Sequence, residues 1–68
     1  MKITKNTVLP VGTVVALRSG ELLRIEKVCR EPDGLCYRVY YGEFDGEEFA
    51  PEGDLRIVEH CDLVGAEF

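Results

Sequence analysis

The sequence contains no tryptophan, a single histidine, and only one Lys or Arg after residue 38. It also lacks the patterns of several large enzyme classes, since there is no GxSxG nucleophile motif, no P-loop and no dinucleotide-binding glycine pattern. These patterns place a nucleophile on a sharp turn or cradle a phosphate in backbone amides, so no motif here predicts either chemistry. We therefore expect a protein that is not an enzyme, with no catalytic residue and no cofactor.

Long hydrophobic runs are also missing. The longest, such as Val14 to Leu17, are far shorter than the roughly 20 residues that a membrane-spanning helix needs. The first six residues have no apolar core of the kind found in a signal peptide. These features predict a cytoplasmic protein that does not span a membrane.

Cysteine is scarce and odd in number, with Cys29, Cys36 and Cys61. An odd number does not form a secreted disulfide framework, and thiols are the default in a reducing compartment. If a turn at residues 31–34 joins two strands, Cys29 and Cys36 lie opposite each other with β-carbons about 5 Å apart, so oxidation of this pair stays open. A metal set that adds His60 and Cys61 is also imaginable, but C-x₆-C with a distant H-C is not a standard zinc spacing, so we predict no metal site.

Charge is unevenly distributed along the chain. Residues 1–38 hold seven of the eight bases and a net charge of +3, whereas residues 39–68 hold only Arg56 against nine acids, a net of −8. The total of −5 argues against sequence-independent nucleic-acid binding, which depends on bases that neutralise phosphates. The 68 residues suffice for one small domain over residues 1–68, and the composition, 46% hydrophobic and 31% charged, is that of a globular chain.

Turn signals at short, regular intervals separate runs rich in branched and aromatic residues, which is typical of a small all-β barrel or sandwich. Glu31-Pro32-Asp33-Gly34 has the chemistry of a type I hairpin turn, and Asp45-Gly46 that of a two-residue hairpin. The alternation of the second strand slips at Lys27-Val28, which indicates a bulge that bends the strand. Pro51 to Asp54 predicts one tight 3₁₀ turn before the last strand. The five predicted strands cover residues 13–17, 22–29, 35–41, 47–50 and 55–59.

Two segments carry a resemblance to a known fold. FAPEGDLRIV, residues 49–58, looks like an aromatic strand that passes through a Pro-containing turn to an apolar last strand, and GTVVALRSG, residues 12–20, is similar to the opening of many small barrels. Together they resemble the SH3-like small β-barrel superfamily, including bacterial and phage proteins of unknown role. The resemblance covers about residues 10–59 and leaves an N-terminal arm and a C-terminal tail, residues 60–68. It implies a single five-stranded, strongly bent barrel.

The barrel interpretation comes with a predicted core and excludes one ligand class. Peptide-binding SH3 domains characteristically use a groove tryptophan that this chain lacks, so a proline-rich ligand is not expected. The tail is apolar enough either to pack across an end of the barrel or to meet a partner. The predicted principal core consists of Val14, Leu17, Leu23, Ile25, Val39, Phe49, Leu55 and Ile57.

An acidic and aromatic stretch is the most distinctive candidate site. Carboxylates and ring faces both attract cations, so this mixture is suited to bind Lys, Arg or a basic peptide. The alternative is that the aromatic residues fill the core and the carboxylates form a solvated face that protects an edge strand. The candidate partner-binding residues, here called the acidic edge, are Tyr40, Tyr41, Glu43, Phe44, Asp45, Glu47, Glu48, Glu52 and Asp54.

Three functions remain open at this stage. The first is a protein-interaction module that binds a basic protein surface or peptide through the acidic edge. The second is a phage-type anti-defence inhibitor whose carboxylates mimic nucleic-acid phosphates. The third is a nucleic-acid-binding barrel, which requires its bases to gather on one face. Those bases are Lys2, Lys5, Arg18, Arg24, Lys27, Arg30 and Arg38.

Overall fold

Four antiparallel strands joined by tight turns make up most of the protein, and a computed structural model describes all 68 residues. The strands form one sheet in the order β1-β2-β3-β4, which confirms the all-β prediction. The only helix is a single turn, and nothing helical in the chain has the length and apolarity to cross a membrane. The elements are β1 (Val14–Ala16), β2 (Leu22–Glu31), β3 (Gly34–Asp45), β4 (Glu48–Glu59) and α1 (His60–Leu63).

The hairpin between β2 and β3 follows the local sequence chemistry. Pro32 and Asp33 form the turn, and Glu31 pairs with Gly34 at its base. The register then places Cys29 opposite Cys36, as predicted, and both remain free thiols. Nearer the start of β2, the register shifts between Ile25 and Lys27, which confirms the predicted bulge.

The predicted turn at residues 51–54 is wrong, and β4 is one continuous strand where two were expected. The sheet therefore has four strands rather than five. The turn signal instead produces a bulge: Glu52 pairs with Tyr41 and Arg56 with Val39, so residues 53–55 lie opposite Tyr40 alone. Gly53, with φ of +75°, supplies the left-handed conformation that this bulge requires. Pro51 is tolerated because β4 lies at an edge of the sheet, and strand pairing does not join β4 to β1.

The hydrophobic core lies on one face of the sheet, here called the inner face. Leu23, Ile25 and Val39 are fully buried there as predicted, whereas Val14, Leu17 and Phe49 are only half-buried. Leu55 and Ile57 are 41% and 66% exposed, so their assignment to the core is wrong. Segments outside the sheet take the place that β4 was expected to fill. The residues that complete the core are Ile3, Leu9, Val15, Tyr37, Leu63 and Ala66.

The C-terminal tail packs within the chain, which decides between the two interpretations left open by its composition. Glu67 lies between Lys2 and Ala16 and forms an antiparallel bridge to each. Its carbonyl accepts from the Ala16 amide at 2.8 Å, its amide donates to the Ala16 carbonyl at 3.1 Å, and the Ile3 amide donates to Ala66 at 2.8 Å. The tail therefore covers the edge of β1, while the outer edge of β4 has no backbone partner in the chain.

Candidate functional site

The six carboxylates of the acidic edge are all exposed and lack cationic partners. The only two ion pairs in the protein join Arg24 to Glu26 and the N-terminal amine to Glu67. No carboxylate of the acidic edge accepts a side-chain hydrogen bond within the chain either. Their negative charge can therefore be balanced only by solvent ions or by a partner. The six carboxylates belong to Glu43, Asp45, Glu47, Glu48, Glu52 and Asp54.

The β3–β4 hairpin extends beyond the rest of the sheet and presents most of this charge. The last pair between β2 and β3 is Leu22 with Gly42, so residues 43–50 form a two-stranded ribbon. Asp45 pairs with Glu48 at its end, which places the turn one residue later than the predicted Asp45-Gly46 signal. Gly46, with φ of +67°, makes that turn possible.

A groove of about 650 Å³, here called the acidic groove, lies between the β1–β2 turn and the base of this ribbon. The carboxylates of Glu21, Glu43 and Glu52 and the rings of Tyr41 and Phe44 line it, and no Lys or Arg is among its lining residues. The sequence did not single out Glu21, because it lies in the basic half of the chain and only the fold brings it to the ribbon. Three carboxylates and two aromatic rings around one groove form a site suited to a cationic side chain.

The aromatic residues of the region are already engaged in interactions with cations and with each other. The Arg56 guanidinium lies 5.6 Å from the centre of the Tyr41 ring, and that of Arg24 lies 5.2 Å from Phe49. Phe44 is 51% exposed and meets Phe49 edge to face, with centroids 6.0 Å apart. The rings of this surface therefore bind guanidinium groups within the chain, and Phe44 keeps half of its surface accessible.

Gly42 is needed for this aromatic arrangement. A β-carbon at this position would collide with the Ala50 carbonyl oxygen and approach the Phe49 ring to 2.9 Å. Because Gly42 has no side chain, the Phe49 ring can lie against the backbone of β3.

The fold divides the predicted acidic edge into three parts. Tyr41, Glu43, Phe44 and Glu52 line the acidic groove. Tyr40 is half-buried and pairs with Arg24, and it is not among the residues that line the groove. The remaining members, at the end of the ribbon and in the β4 bulge, are Asp45, Glu47, Glu48 and Asp54.

His60 has a structural environment. It is buried, and its Nε2 lies 2.8 Å from the Thr4 carbonyl oxygen, which can only accept, so Nε2 donates. Its Nδ1 lies 2.6 Å from the Tyr37 hydroxyl, which is the matching donor when the imidazole is neutral. Burial raises the pKa of Tyr37 above its usual value near 10, so the phenol stays protonated in this arrangement. Both ring nitrogens are thus committed within the core.

The thiols do not assemble with His60 into the imagined metal set. Burial, followed by the proximity of Cys29 and Glu31, raises the pKa of Cys36. A hydrogen bond to Glu59, followed by partial desolvation, raises the pKa of Cys61. Thiols with raised pKa values are poor nucleophiles and poor metal ligands at neutral pH. The one cluster of three potential metal ligands is exposed and consists of Glu59, Cys61 and Asp62. Two of them, Glu59 and Asp62, form the capping box of α1.

A second groove, here called the end groove, lies at the other end of β4. It has a volume of about 520 Å³ between the β2–β3 turn and the start of α1. The carboxylates of Glu31, Asp33 and Glu59 line it with Ile57, and Lys5 is its only base. Its members are distant in the sequence, which gave no signal for it.

The seven bases of the N-terminal half do not gather on a single face. Lys27 and Arg38 are paired and exposed on the outer face of the sheet, where Arg24 is bound to Glu26 at 2.8 Å. The others lie in the N-terminal arm, after β1, or near the β2–β3 turn: Lys2, Lys5, Arg18 and Arg30.

Comparisons of the chain with protein-family models, with curated proteins and with solved structures give no significant match.

Proposed function

We propose that this protein is a non-enzymatic interaction module that binds a basic segment of a partner protein in the acidic groove. The observation that carries the proposal is the composition of that groove: Glu21, Glu43, Glu52, Tyr41 and Phe44 line it, and no Lys or Arg of the chain does. Its volume of about 650 Å³ is in the range of pockets that hold small ligands, so one or two Lys or Arg side chains fit. The raised thiol pKa values and the committed ring of His60 support a role without covalent catalysis.

The aromatic rings and the carboxylates contribute differently to such binding. A cation over an aromatic face gains about 0.5–1 kcal/mol when exposed and about 2 kcal/mol when water is excluded. An exposed ion pair gives only about 0–1 kcal/mol. Affinity therefore depends mainly on Tyr41 and Phe44, while the carboxylates select a positively charged partner and accelerate its approach.

A peptide of alternating arginine and glycine tests this proposal. We expect Glu43→Gln with Glu52→Gln to weaken its binding by about tenfold, because two of the three groove carboxylates are lost. The matched control, Glu47→Gln with Glu48→Gln, removes the same charge from the end of the ribbon and should change the dissociation constant by less than about threefold. Isothermal titration of both double variants measures the difference. Equal effects of the two pairs would contradict a specific groove and leave only a diffuse field.

A phosphate-mimicking inhibitor is the second candidate, and the unpaired carboxylates along the ribbon and β4 favour it. Carboxylates spaced along an exposed strand present negative charge as a nucleic-acid backbone does. Competition between this protein and duplex DNA for a basic DNA-binding protein distinguishes the candidates. An inhibitor displaces the DNA, whereas a peptide-binding module leaves it bound.

We also propose that the domain is a member of the SH3-like small barrels and that it is cytoplasmic. The bulged β2 supports the fold assignment, as does the tail, which adds beside β1 at the position of a further short strand. Three free thiols support a reducing compartment.

A further inference from the structure

The two edges of the sheet differ in whether another segment of the chain covers them. At β1 the tail closes the edge with two backbone hydrogen bonds between Ala16 and Glu67, of 2.8 and 3.1 Å. At the other edge β4 is bonded to β3 alone, and no arm, loop or helix supplies a backbone partner along its twelve residues. Apart from the Glu59 amide, which donates to Asp62 Oδ2 at 3.4 Å, the outward amides and carbonyls of β4 are therefore available to an added strand.

Only part of β4 is suitable for such an addition. Pro51 lacks an amide donor, and the bulge at residues 53–55 disturbs the spacing of the backbone groups. From Leu55, the last residue of the bulge, to Glu59 the strand contains neither Pro nor Gly, and all of these residues except Val58 are exposed. Ile57 is 66% exposed at its centre, which is unusual for an isoleucine in a strand. From Arg56 on, this segment pairs with β3 in regular register, and no strand of the sheet lies on its outer side.

The charge around this segment defines what can pair with it. Ile57 lines the end groove, whose three carboxylates, those of Glu31, Asp33 and Glu59, outnumber its one lysine, Lys5. Arg56, the one base of the segment itself, directs its guanidinium to the Tyr41 ring, 5.6 Å from its centre. We propose that Leu55–Glu59 pairs with an extended, Lys- or Arg-bearing segment of a partner protein, which adds to β4 as a further strand and directs a basic side chain into the end groove. This inference goes beyond the proposed function, because it places a basic segment at a second site, at the other end of β4 from the acidic groove.

A second copy of this chain fits the edge less well. Each copy carries a net charge of −5, and residues 39–68, which include β4, carry −8. Leu55–Glu59 itself is neutral, with Arg56 and Glu59, but pairing of two copies brings two molecules of the same negative net charge together, whereas a basic strand is attracted to either. Pro51, the bulge and the carboxylates are also the devices by which edge strands resist self-association.

Two peptides of equal charge test the inference. The first alternates lysine and valine over eight residues, and the second is the same peptide with every backbone amide methylated, so that neither edge can donate hydrogen bonds. We expect the methylated peptide to bind at least about tenfold more weakly, because it loses several backbone hydrogen bonds and keeps its charge. Amide hydrogen exchange within Leu55–Glu59 should slow when the unmodified peptide binds.

A pair of variants places the binding on this edge. Ile57→Lys should weaken binding of the lysine–valine peptide by about tenfold, since the substitution adds a positive charge, like those of the peptide, at the centre of the segment. Val8→Lys adds the same charge at a residue 80% exposed in the N-terminal arm and should have little effect.

The other outcomes separate this inference from the proposed function. If both peptides bind equally and Glu43→Gln with Glu52→Gln weakens both, the acidic groove stands and strand addition is refuted. If neither peptide binds, strand addition is refuted, and the arginine–glycine peptide alone decides on the groove. If exchange in Leu55–Glu59 slows with rising protein concentration in the absence of peptide, the edge pairs with a second copy and the inference is wrong.

Discussion

At the level of single residues, the contact between Tyr37 and His60 links pH to stability. The Tyr37 side chain is fully buried and its hydroxyl lies 2.6 Å from His60 Nδ1. Burial raises the pKa of Tyr37, so the folded state binds the phenolic proton more tightly than the unfolded state does. This stabilising contribution is complete below the usual tyrosine pKa near 10 and is lost as the pH rises through the folded-state pKa.

We therefore expect the unfolding free energy to fall as the pH rises above about 10, and to fall less steeply in Tyr37→Phe. The variant should also be less stable at pH 7 by about 1–3 kcal/mol, because a buried imidazole nitrogen loses its partner. Urea unfolding at several pH values measures both effects, and Tyr40→Phe, at a half-buried residue, is the control. An unchanged alkaline slope in Tyr37→Phe would show that other groups cause the decline.

Leu23 and Ile57 form a second contrast at this scale, because the sequence assigned both to the core and the structure buries only one. Leu23 is fully buried, whereas Ile57 is 66% exposed on the edge strand. Leu23→Ala should cost about 2–5 kcal/mol of unfolding free energy, enough to threaten a domain of this size. Ile57→Ala should change it by less than about 0.5 kcal/mol. Urea midpoints of the two variants provide the measurement, and equal losses would contradict the observed packing.

At the level of elements, local chemistry predicts what is local. Pro32 in its turn, the slipped alternation at Lys27 and the Gly46 hairpin all appear in the structure close to their predicted positions, because adjacent residues decide each of them. Pro51 to Asp54 misled the prediction, since the same residues serve a 3₁₀ turn or an edge bulge, and only pairing with β3 selects the bulge. The core prediction failed at Leu55 and Ile57 for a related reason. The N-terminal arm and the C-terminal tail cover the inner face instead, and they are joined by contacts between residues far apart in the sequence.

The candidate site was predictable to a similar extent. Exposure of Glu43 and Glu52 follows from the concentration of charge along the sequence, and the structure leaves both without a cationic partner. The contribution of Glu21 to the acidic groove was not predictable, because a turn far away in the sequence delivers it. The end groove is likewise assembled from the β2–β3 turn, β4 and α1.

Ala66 fixes the tail to the rest of the protein. Ala66 is buried, and its carbonyl accepts from the Ile3 amide at 2.8 Å. Ala66→Glu places an unpaired carboxylate in the core, so it should lower the unfolding free energy by roughly 2 kcal/mol or more and detach the tail from β1. Exchange of the Ala16 amide, which donates to Glu67, should accelerate. Val64→Glu adds the same charge at a neighbouring residue that is 44% exposed and should leave both measurements nearly unchanged.

At the level of the whole molecule, the charge is arranged as a dipole along the chain. The half that carries −8 includes the ribbon and β4, while the half that carries +3 includes the arm, β1, the bulged β2 and the first part of β3. A basic partner is therefore attracted to one end of the molecule before any contact forms. Such steering acts over about 10 Å at 0.1 M salt, which makes the association rate, rather than the lifetime of the complex, depend on ionic strength.

Charge reversal at the end of the ribbon tests this field without touching the acidic groove. Glu47→Lys with Glu48→Lys changes the net charge by four, from −5 to −1, at exposed residues whose side chains form no ion pair within the chain. We expect association with the arginine–glycine peptide to slow by about tenfold at low salt and its salt dependence to flatten, because rim charges steer the encounter. The dissociation rate should change little, since Tyr41 and Phe44 remain in place. Stopped-flow measurements with a labelled peptide at about 20 and 200 mM salt separate the two rates. An association rate that reversal leaves unchanged, in a protein that still unfolds at the wild-type urea midpoint, would mean that the ribbon carboxylates only keep the edge solvated.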